Sequence, residues 1–216
     1  MEHPELTQFH NHNGGVRWKL TEEGVFVEGN GIERTSGPPT TVTRVWEQYH
    51  TAINEWASQY NVYCELILAT ICTESSGKPD ARRNEPGFES DHKTPDRVSL
   101  GLMQTLISTA RETLGNPAID GAWLLVPRNS IQAGTSYINR RRGITQLDPP
   151  KVACAYNAGG VYDNDGPGNR WKMRQYPLGT GDHCDRFVQW FNDAIARLKE
   201  HAVKPILSLQ NFLRDA

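Results

Sequence analysis

Apolar residues recur at two different spacings along the chain, and the spacing separates a short N-terminal arm from a helical body. Between residues 14 and 41, Val16, Trp18 and Leu20 alternate with polar residues. This period of two, followed by a second apolar run at residues 25–27, predicts two short strands joined by a turn. From residue 42 onward, apolar residues recur every three to four positions, which predicts amphipathic helices. The predicted helices cover 42–60, 66–74, 101–114, 127–142, a helix that starts at 148–150, a last long helix capped by Asp182, and 205–213.

The pattern therefore predicts a mainly α (α+β) protein. Residues 1–41 form an N-terminal arm with short strands and a linker, which we expect to pack on the main body or to dock it on a larger assembly. Residues 42–200 form the helical domain, and residues 201–216 form a C-terminal helix that packs on it. Residues 77–98 are a long polar insert, and residues 159–181 are a Gly-rich loop.

Composition excludes several classes of function. The chain has 23 Lys and Arg against 25 Asp and Glu, a formal net charge of −2, so nucleic-acid binding, which usually needs a basic face, is not expected. No apolar segment approaches the ~20 residues that a membrane span needs. The first ten residues lack the charged and apolar regions of a secretory signal peptide. His3, His10 and His12 are interpreted as part of a frayed terminus rather than as a metal site.

The cysteines are Cys64, Cys72, Cys154 and Cys184. Cys64 and Cys72 would lie about 12 Å apart on one helix, too far for a disulfide. Buried free thiols are expected for the set, although disulfides among the others stay open. No Cys-x-x-Cys pair exists, so a zinc site is not expected. The sequence implies no cofactor.

Glu74 is the first candidate for chemistry, because it ends an apolar run and is followed by Ser75, Ser76 and Gly77. The stop signal places a carboxylate at the C-terminal end of a buried helix. The negative end of the helix dipole and apolar surroundings both raise a carboxyl pKa, as a general acid at neutral pH requires. The alternative is a Glu that emerges into solvent where the helix ends.

Two later segments favour the catalytic interpretation. The order Glu74–Ser75, then Gly101–Gln104, then Ala155–Gly159 resembles the catalytic domain of the soluble lytic transglycosylases and goose-type lysozymes. The resemblance extends over about residues 42–198 and implies a lysozyme-like fold. It also implies a substrate, the glycan strand of peptidoglycan, cut at the β-1,4 bond between N-acetylmuramic acid and N-acetylglucosamine.

The resemblance also implies roles for individual residues. Glu74 is the proton donor, and Ser75 and Gln104 contact substrate. Met103 lines the groove, with core packing as the alternative. Tyr156 lies near enough to hydrogen-bond Glu74. Asn157 supports a turn or binds the sugar, with an Asx-type turn as the purely structural alternative.

Two departures from the family pattern bear on this site. Relatives carry a further Tyr before a Val on the last helix, whereas here Phe187 precedes Val188, so a hydroxyl is missing. His183 and Asp185 are candidates to replace it. The polar insert adds Glu85, Glu89, Asp91 and Asp96, any of which could be the second carboxylate of an inverting lysozyme. A solvated loop is the preferred interpretation of the insert.

The predicted function is that of a lytic transglycosylase, in which the sugar's own C6 hydroxyl closes a 1,6-anhydro ring. The alternatives are a hydrolytic muramidase on the same fold, a chitinase-like activity, or a non-catalytic glycan-binding tail or spike component. The site of action is the bacterial cell wall in the periplasm. Without a signal peptide, delivery by a phage tail, a contractile injection assembly or another secretion route is expected, unless the chain is a mature fragment. If the arm serves only attachment, deletion of residues 1–41 should spare catalysis.

Overall fold

Helices dominate the computed structural model, which describes residues 4–214. The helices are α1 (Thr40–Tyr60), α2 (Cys64–Ser75), α3 (Ile107–Leu114), α4 (Gly121–Leu124), α5 (Pro127–Arg140), α6 (Arg142–Thr145), α7 (Pro149–Ala158), α8 (Asp182–Glu200) and α9 (Leu209–Arg214). The strands are β1 (Trp18–Thr21), β2 (Gly24–Val27), β3 (Gly31–Ile32), β4 (Arg82–Asn84), β5 (Val98–Leu100) and β6 (Thr105–Leu106). His3, assigned to a frayed terminus, lies outside the described residues.

Helix α2 is the centre of the fold. Every residue of this helix except Glu74 is buried, as expected for a helix that is apolar on all sides. It packs against α1 and α8 and also contacts α5 and α7. Its C-terminal end is therefore held from several directions, which fixes the position of the carboxylate that follows.

The N-terminal arm folds onto helix α8 as an antiparallel sheet, β1-β2-β3. Trp18 pairs with Val27 and Leu20 with Val25, and all four side chains are buried in the same core cluster as α2. Asn192 of α8 accepts a hydrogen bond from Val25 N at 2.7 Å and donates to Val25 O at 3.2 Å. The arm is thus part of the main core.

The predicted helix over residues 101–114 is wrong at its start. Residues 101–104 form a turn, Thr105 and Leu106 form β6, and the helix begins at Ile107. Gly101 and Gln104 have φ values of 73° and 47°, which a right-handed helix cannot contain. The turn connects β5 to β6 in a second antiparallel sheet, β4-β5-β6.

The polar insert contributes strands that the sequence pattern did not predict. Arg83 in β4 pairs with Ser99 in β5. All three residues of β4 are exposed, so the strand has no apolar face and no alternation to detect.

Three helix ends also differ from prediction. The predicted helix over 127–142 is divided into α5 and α6 around Arg141. Helix α9 starts at Leu209 rather than 205. Asp182 is the first residue of α8 and its side chain makes no capping hydrogen bond, because Gly181 occupies the N-cap position.

All four cysteines are buried free thiols. Within residues 4–214, none of the helices has the length and apolar character to span a bilayer.

Candidate active site

Glu74 reaches the surface from the end of α2, with 18 % of its side chain exposed. Ser76 terminates the helix in a left-handed conformation with φ of 52°. Burial raises the pKa of the Glu74 carboxyl to about 7, and the nearby guanidinium groups of Arg186 and Arg83 oppose the rise. At neutral pH a substantial fraction of Glu74 is therefore protonated, as a general acid requires. The rise agrees with the expectation from the sequence that apolar surroundings raise the pKa of the Glu74 carboxyl. The role of Glu74 as proton donor stays a prediction.

Ser75 joins the end of α2 to the turn at residues 101–104. Its hydroxyl is buried and donates to Leu102 O at 2.7 Å, while it accepts from Gly77 N at 3.1 Å. Both capacities of the hydroxyl are used within the protein. The predicted substrate contact of Ser75 stays a prediction, and its observed hydrogen bonds connect the end of α2 to the turn.

The turn itself is built for close approach of backbone segments. A Cβ on Gly101 would lie 2.3 Å from Leu124 O, so only glycine fits there. Met103 N donates to Ser130 Oγ at 3.1 Å. The Met103 side chain is fully buried in the space that Gly134 leaves open. The expectation that Met103 lines the groove is therefore wrong, because its side chain points into the core and only its backbone belongs to the site.

Gln104 closes the same turn with its side-chain amide. The amide nitrogen donates to Gly101 O at 2.9 Å and Ala81 O at 3.0 Å, and the amide oxygen accepts from Ser99 Oγ at 3.2 Å. These contacts hold the turn against β5 and stabilise the left-handed backbone at Gln104. Substrate contact by Gln104 stays a prediction.

Tyr156 extends from α7 toward the same turn. Its hydroxyl donates to Met103 O at 2.8 Å and lies 3.1 Å from Thr105 Oγ1. Burial raises the pKa of Tyr156 well above its ordinary value, and the adjacent charge of Glu74 raises it further. Tyr156 therefore lies close to Glu74 and stays protonated, but its proton is directed to the Met103 carbonyl.

Asn157 links the Gly-rich loop to the first turn of α8. Its side-chain oxygen accepts from Tyr176 N at 2.6 Å, and its amide nitrogen lies 3.5 Å from His183 Nδ1. On the other side of the ring, His183 Nε2 lies 3.6 Å from Glu74 Oε1. Sugar binding by Asn157 stays a prediction, but the residue does connect the loop to the Glu74 carboxyl through His183.

Of the two residues proposed to replace the missing tyrosine hydroxyl, only His183 faces Glu74. Asp185 accepts hydrogen bonds from Arg170 Nε and Trp171 Nε1, each at 2.7 Å. Phe187 is buried in the core.

The acidic residues of the insert are mostly paired with basic neighbours. Glu85 lies 2.9 Å from Arg83, Glu89 lies 3.0 Å from Lys93, and Asp91 lies 2.7 Å from Arg82. Asp96 is exposed. In the part of the chain that the structure describes, no acidic side chain contributes to the pKa of Glu74.

The charged groups around Glu74 were not predicted as part of the site. Arg83 lies on β4 in the polar insert that follows Glu74, and Arg186 lies on α8, far along the chain. Neither lies in a motif, so only their place in the fold brings them together. Residues 4–214 contain no cluster of His, Cys, Asp or Glu side chains that could hold a metal ion.

Comparison with known proteins identifies the family. The transglycosylase SLT domain matches residues 51–176, more than half of the chain, and includes all three sequence motifs. The chain belongs to this transglycosylase family, which confirms the predicted family and its lysozyme-like, mainly α fold.

Among solved structures, the chain is similar to an inactive glutamate-to-glutamine mutant of the lytic transglycosylase Slt from Pseudomonas aeruginosa. The TM-score is 0.51 at 20 % identity, over 74 % of this chain and 25 % of that protein. The match therefore shares the fold and spans about a quarter of the Slt chain. The family match ends before His183 and the rest of α8.

Proposed function

We propose that this protein is a peptidoglycan lytic transglycosylase that cleaves the β-1,4 bond between N-acetylmuramic acid and N-acetylglucosamine. The observation that carries the proposal is Glu74, a carboxyl at the end of a buried helix whose pKa burial raises to about 7, with arginines as its charged neighbours. Such a group can give a proton and then take one back. The family match supports the same class of chemistry.

The reaction needs one carboxyl group. Protonated Glu74 donates its proton to the glycosidic oxygen as the bond from that oxygen to C1 of N-acetylmuramic acid breaks. The resulting oxocarbenium-like centre is stabilised by the new carboxylate. Glu74 then accepts the proton of the sugar's C6 hydroxyl while O6 bonds to C1, which closes the 1,6-anhydro ring. Glu74 ends protonated, and no water is consumed.

The proposal is tested by Glu74→Gln, which keeps the shape of the side chain but removes the transferable proton. Loss of a general acid reduces a rate by about 10²–10⁴-fold, and we expect at least that loss in the release of soluble muropeptides from purified peptidoglycan. Glu47→Gln, an exposed position on α1, is the matched control and should keep full activity. Release by Glu74→Gln within a few-fold of the unaltered protein would refute the assignment.

Hydrolysis by a water molecule is the second candidate, and the position of Glu85 is the observation that favours it. Glu85 pairs with Arg83, and Arg83 is close enough to Glu74 to lower its pKa. An inverting enzyme needs a second carboxylate about 6.5–9.5 Å from the acid to activate water. If water is the acceptor, Glu85→Gln should abolish cleavage, whereas the transglycosylase mechanism predicts activity near that of the unaltered enzyme.

The proposed place of action is the bacterial cell wall, where the glycan substrate lies. Delivery by a phage tail or contractile injection assembly stays a prediction. It is tested by asking whether the protein sediments with such particles after purification from a producing culture.

A further inference from the structure

His183 is buried beside the proposed catalytic carboxyl, although it lies outside the family match. It sits in the first turn of α8, with only 4 % of its surface exposed. Its Nε2 lies 3.6 Å from Glu74 Oε1. This separation is slightly longer than a hydrogen bond, and such contacts often tighten once substrate is bound or charge develops.

The orientation of Asn157 identifies which ring nitrogen of His183 carries the proton. Tyr176 N donates to Asn157 Oδ1 at 2.6 Å, which turns the amide nitrogen toward His183 Nδ1 at 3.5 Å. An amide nitrogen can only donate, so Nδ1 is the acceptor. A neutral imidazole then carries its proton on Nε2. The N–H group of His183 is therefore directed at Glu74.

Burial keeps His183 neutral, and the positive charge of Arg186 adds to the effect. Together they lower the pKa of His183 to about 3. A neutral donor and a cation would act differently on Glu74, because a positive charge at this distance strongly favours the carboxylate. A neutral N–H can orient the carboxyl group and stabilise the anion without removing the acid form needed at neutral pH.

We propose that His183 is a positioning residue for Glu74. When Glu74 gives up its proton, His183 Nε2–H donates a hydrogen bond to the resulting carboxylate and aligns it to accept the C6 hydroxyl proton. Asn157 fixes the tautomer that makes this possible. The catalytic consequence rests on the proposed transglycosylase function, but the proximity of His183 Nε2 to Glu74 Oε1 is present in the free protein. His183 thus provides Glu74 with a polar neighbour, which the buried Phe187 at the position of the missing tyrosine cannot provide.

Other groups that face Glu74 must be kept constant in any test. Arg83 approaches from β4, Arg186 from α8 and the Tyr156 hydroxyl from α7. A change at His183 that leaves these residues in place isolates the contribution of the imidazole N–H.

The first test is ¹⁵N NMR of the histidine rings in the unaltered protein between pH 5 and 8. We expect His183 to stay neutral throughout, with the proton on Nε2 and a bare Nδ1. The opposite tautomer, or a His183 that becomes protonated in this range, would overturn the proposal. No variant and no substrate are needed, so the outcome is independent of whether peptidoglycan is cleaved.

The second test is the titration of Glu74, followed by ¹³C NMR of its carboxyl carbon in variants of His183. His183→Phe and His183→Leu remove the donor, and loss of its stabilisation of the anion should move the Glu74 titration upward by about one pH unit. His183→Gln places an amide N–H near the same point and should restore the titration to within a few tenths of a pH unit. His50→Gln is the control, because His50 is a half-buried residue of α1 whose Nδ1 lies 3.2 Å from Trp46 O.

The activity readout separates this role from packing. In His183→Phe and His183→Leu, the alkaline limb of the pH–rate profile should shift to higher pH together with the Glu74 titration, and kcat should fall about tenfold. His183→Gln should restore both the position of the limb and the value of kcat. If Phe is tolerated and Gln is not, the ring shape matters rather than the N–H, and the proposal fails. If the unaltered protein cleaves no peptidoglycan but the NMR results hold, the proposed function fails and the His183–Glu74 interaction stands.

Discussion

Glu74 has to be partly protonated at neutral pH for the proposed chemistry, and the burial that achieves this opposes folding. The folded pKa of about 7 lies above the ordinary value of 4.5. For a carboxyl group, a raised folded pKa leaves stability unaffected below the unfolded pKa and reduces it as pH rises through the interval between the two. The destabilisation therefore grows from about pH 4.5 upward and reaches its full size at about pH 7.

Replacing Glu74 by Gln should therefore leave stability unchanged at pH 4, stabilise the protein increasingly between about pH 4.5 and 7, and have its full effect above pH 7. The shift from 4.5 to about 7 corresponds to an upper limit of about 3 kcal/mol in the free energy of unfolding at pH 8. Chemical denaturation at pH 4 and pH 8 measures the difference. Equal stability of the two proteins at pH 8 would mean that Glu74 is not held in a desolvating site.

The same pKa predicts the pH dependence of catalysis. The free enzyme needs protonated Glu74, so kcat/KM should be level below about pH 7 and fall tenfold for each pH unit above it. The second proton transfer starts from the carboxylate that the first transfer creates, so it adds no acidic limb from Glu74. Initial rates on soluble glycan strands between pH 5 and 9 test this, and a rate that keeps rising to pH 9 would contradict it.

Among the elements, the turn at residues 101–104 connects the three sequence motifs. It accepts a hydrogen bond from Ser75 beside Glu74 and another from Tyr156 on α7. Its position depends on the fit between the Met103 side chain and Gly134 of α5, where an added Cβ would lie 2.5 Å from Met103 Sδ and 2.7 Å from its Cβ. Rotation of the outer part of the Met103 side chain cannot relieve this overlap, because the Met103 Cβ is also too close.

Gly134→Ala should therefore displace the turn. Overpacking of a core typically costs about 1–3 kcal/mol, and the shift of the turn relative to Glu74 should reduce kcat as well. Gly143→Ala on α6 is the matched control, because nothing lies within 4 Å of the added Cβ. Denaturant unfolding and rate measurements on both variants test the prediction. If Gly134→Ala behaves like Gly143→Ala, the packing argument is wrong.

Sequence reasoning finds the elements with a strong apolar period and misses those defined by backbone conformation. The pattern at 42–60 predicts α1 nearly to the residue. At the turn, the apolar Leu102 and Met103 favour a helix, whereas the left-handed φ of Gln104 depends on partners at Ala81 and Ser99. Within the site, Glu74 is recognisable because a local stop signal follows it. Arg83 and Arg186 are not, since only tertiary structure brings them to the carboxyl.

At the scale of the whole molecule, the arm and the helical body share one core. Besides the sheet on α8, Trp18 Nε1 and His10 Nε2 each lie 3.0 Å from the buried carboxylate of Asp148, at the start of α7. The arm thus contacts both α7, which carries Tyr156, and α8, which carries His183. Its loss would uncover the buried face of α8 and leave Asp148 without these two partners.

Deletion of residues 1–41 should therefore abolish both folding and activity, in contrast to the expectation that the arm serves only attachment. Removing the fully buried Trp18, Val25 and Val27 forfeits about 1.5–3 kcal/mol for each large aliphatic or aromatic side chain. Circular dichroism and thermal unfolding of the truncated protein give the result. A cooperative transition with full activity would instead establish the arm as a separate attachment module.

The central claim, that the sugar's own hydroxyl rather than water completes the reaction, is tested most directly by the end groups of the products. Muropeptides released from purified peptidoglycan should be analysed by mass spectrometry, beside those from a known hydrolytic muramidase. The account predicts 1,6-anhydro ends, about 18 Da lighter than the hydrolytic products because no water is added. Reducing ends from this enzyme would contradict it and would make Glu85 the next residue to replace.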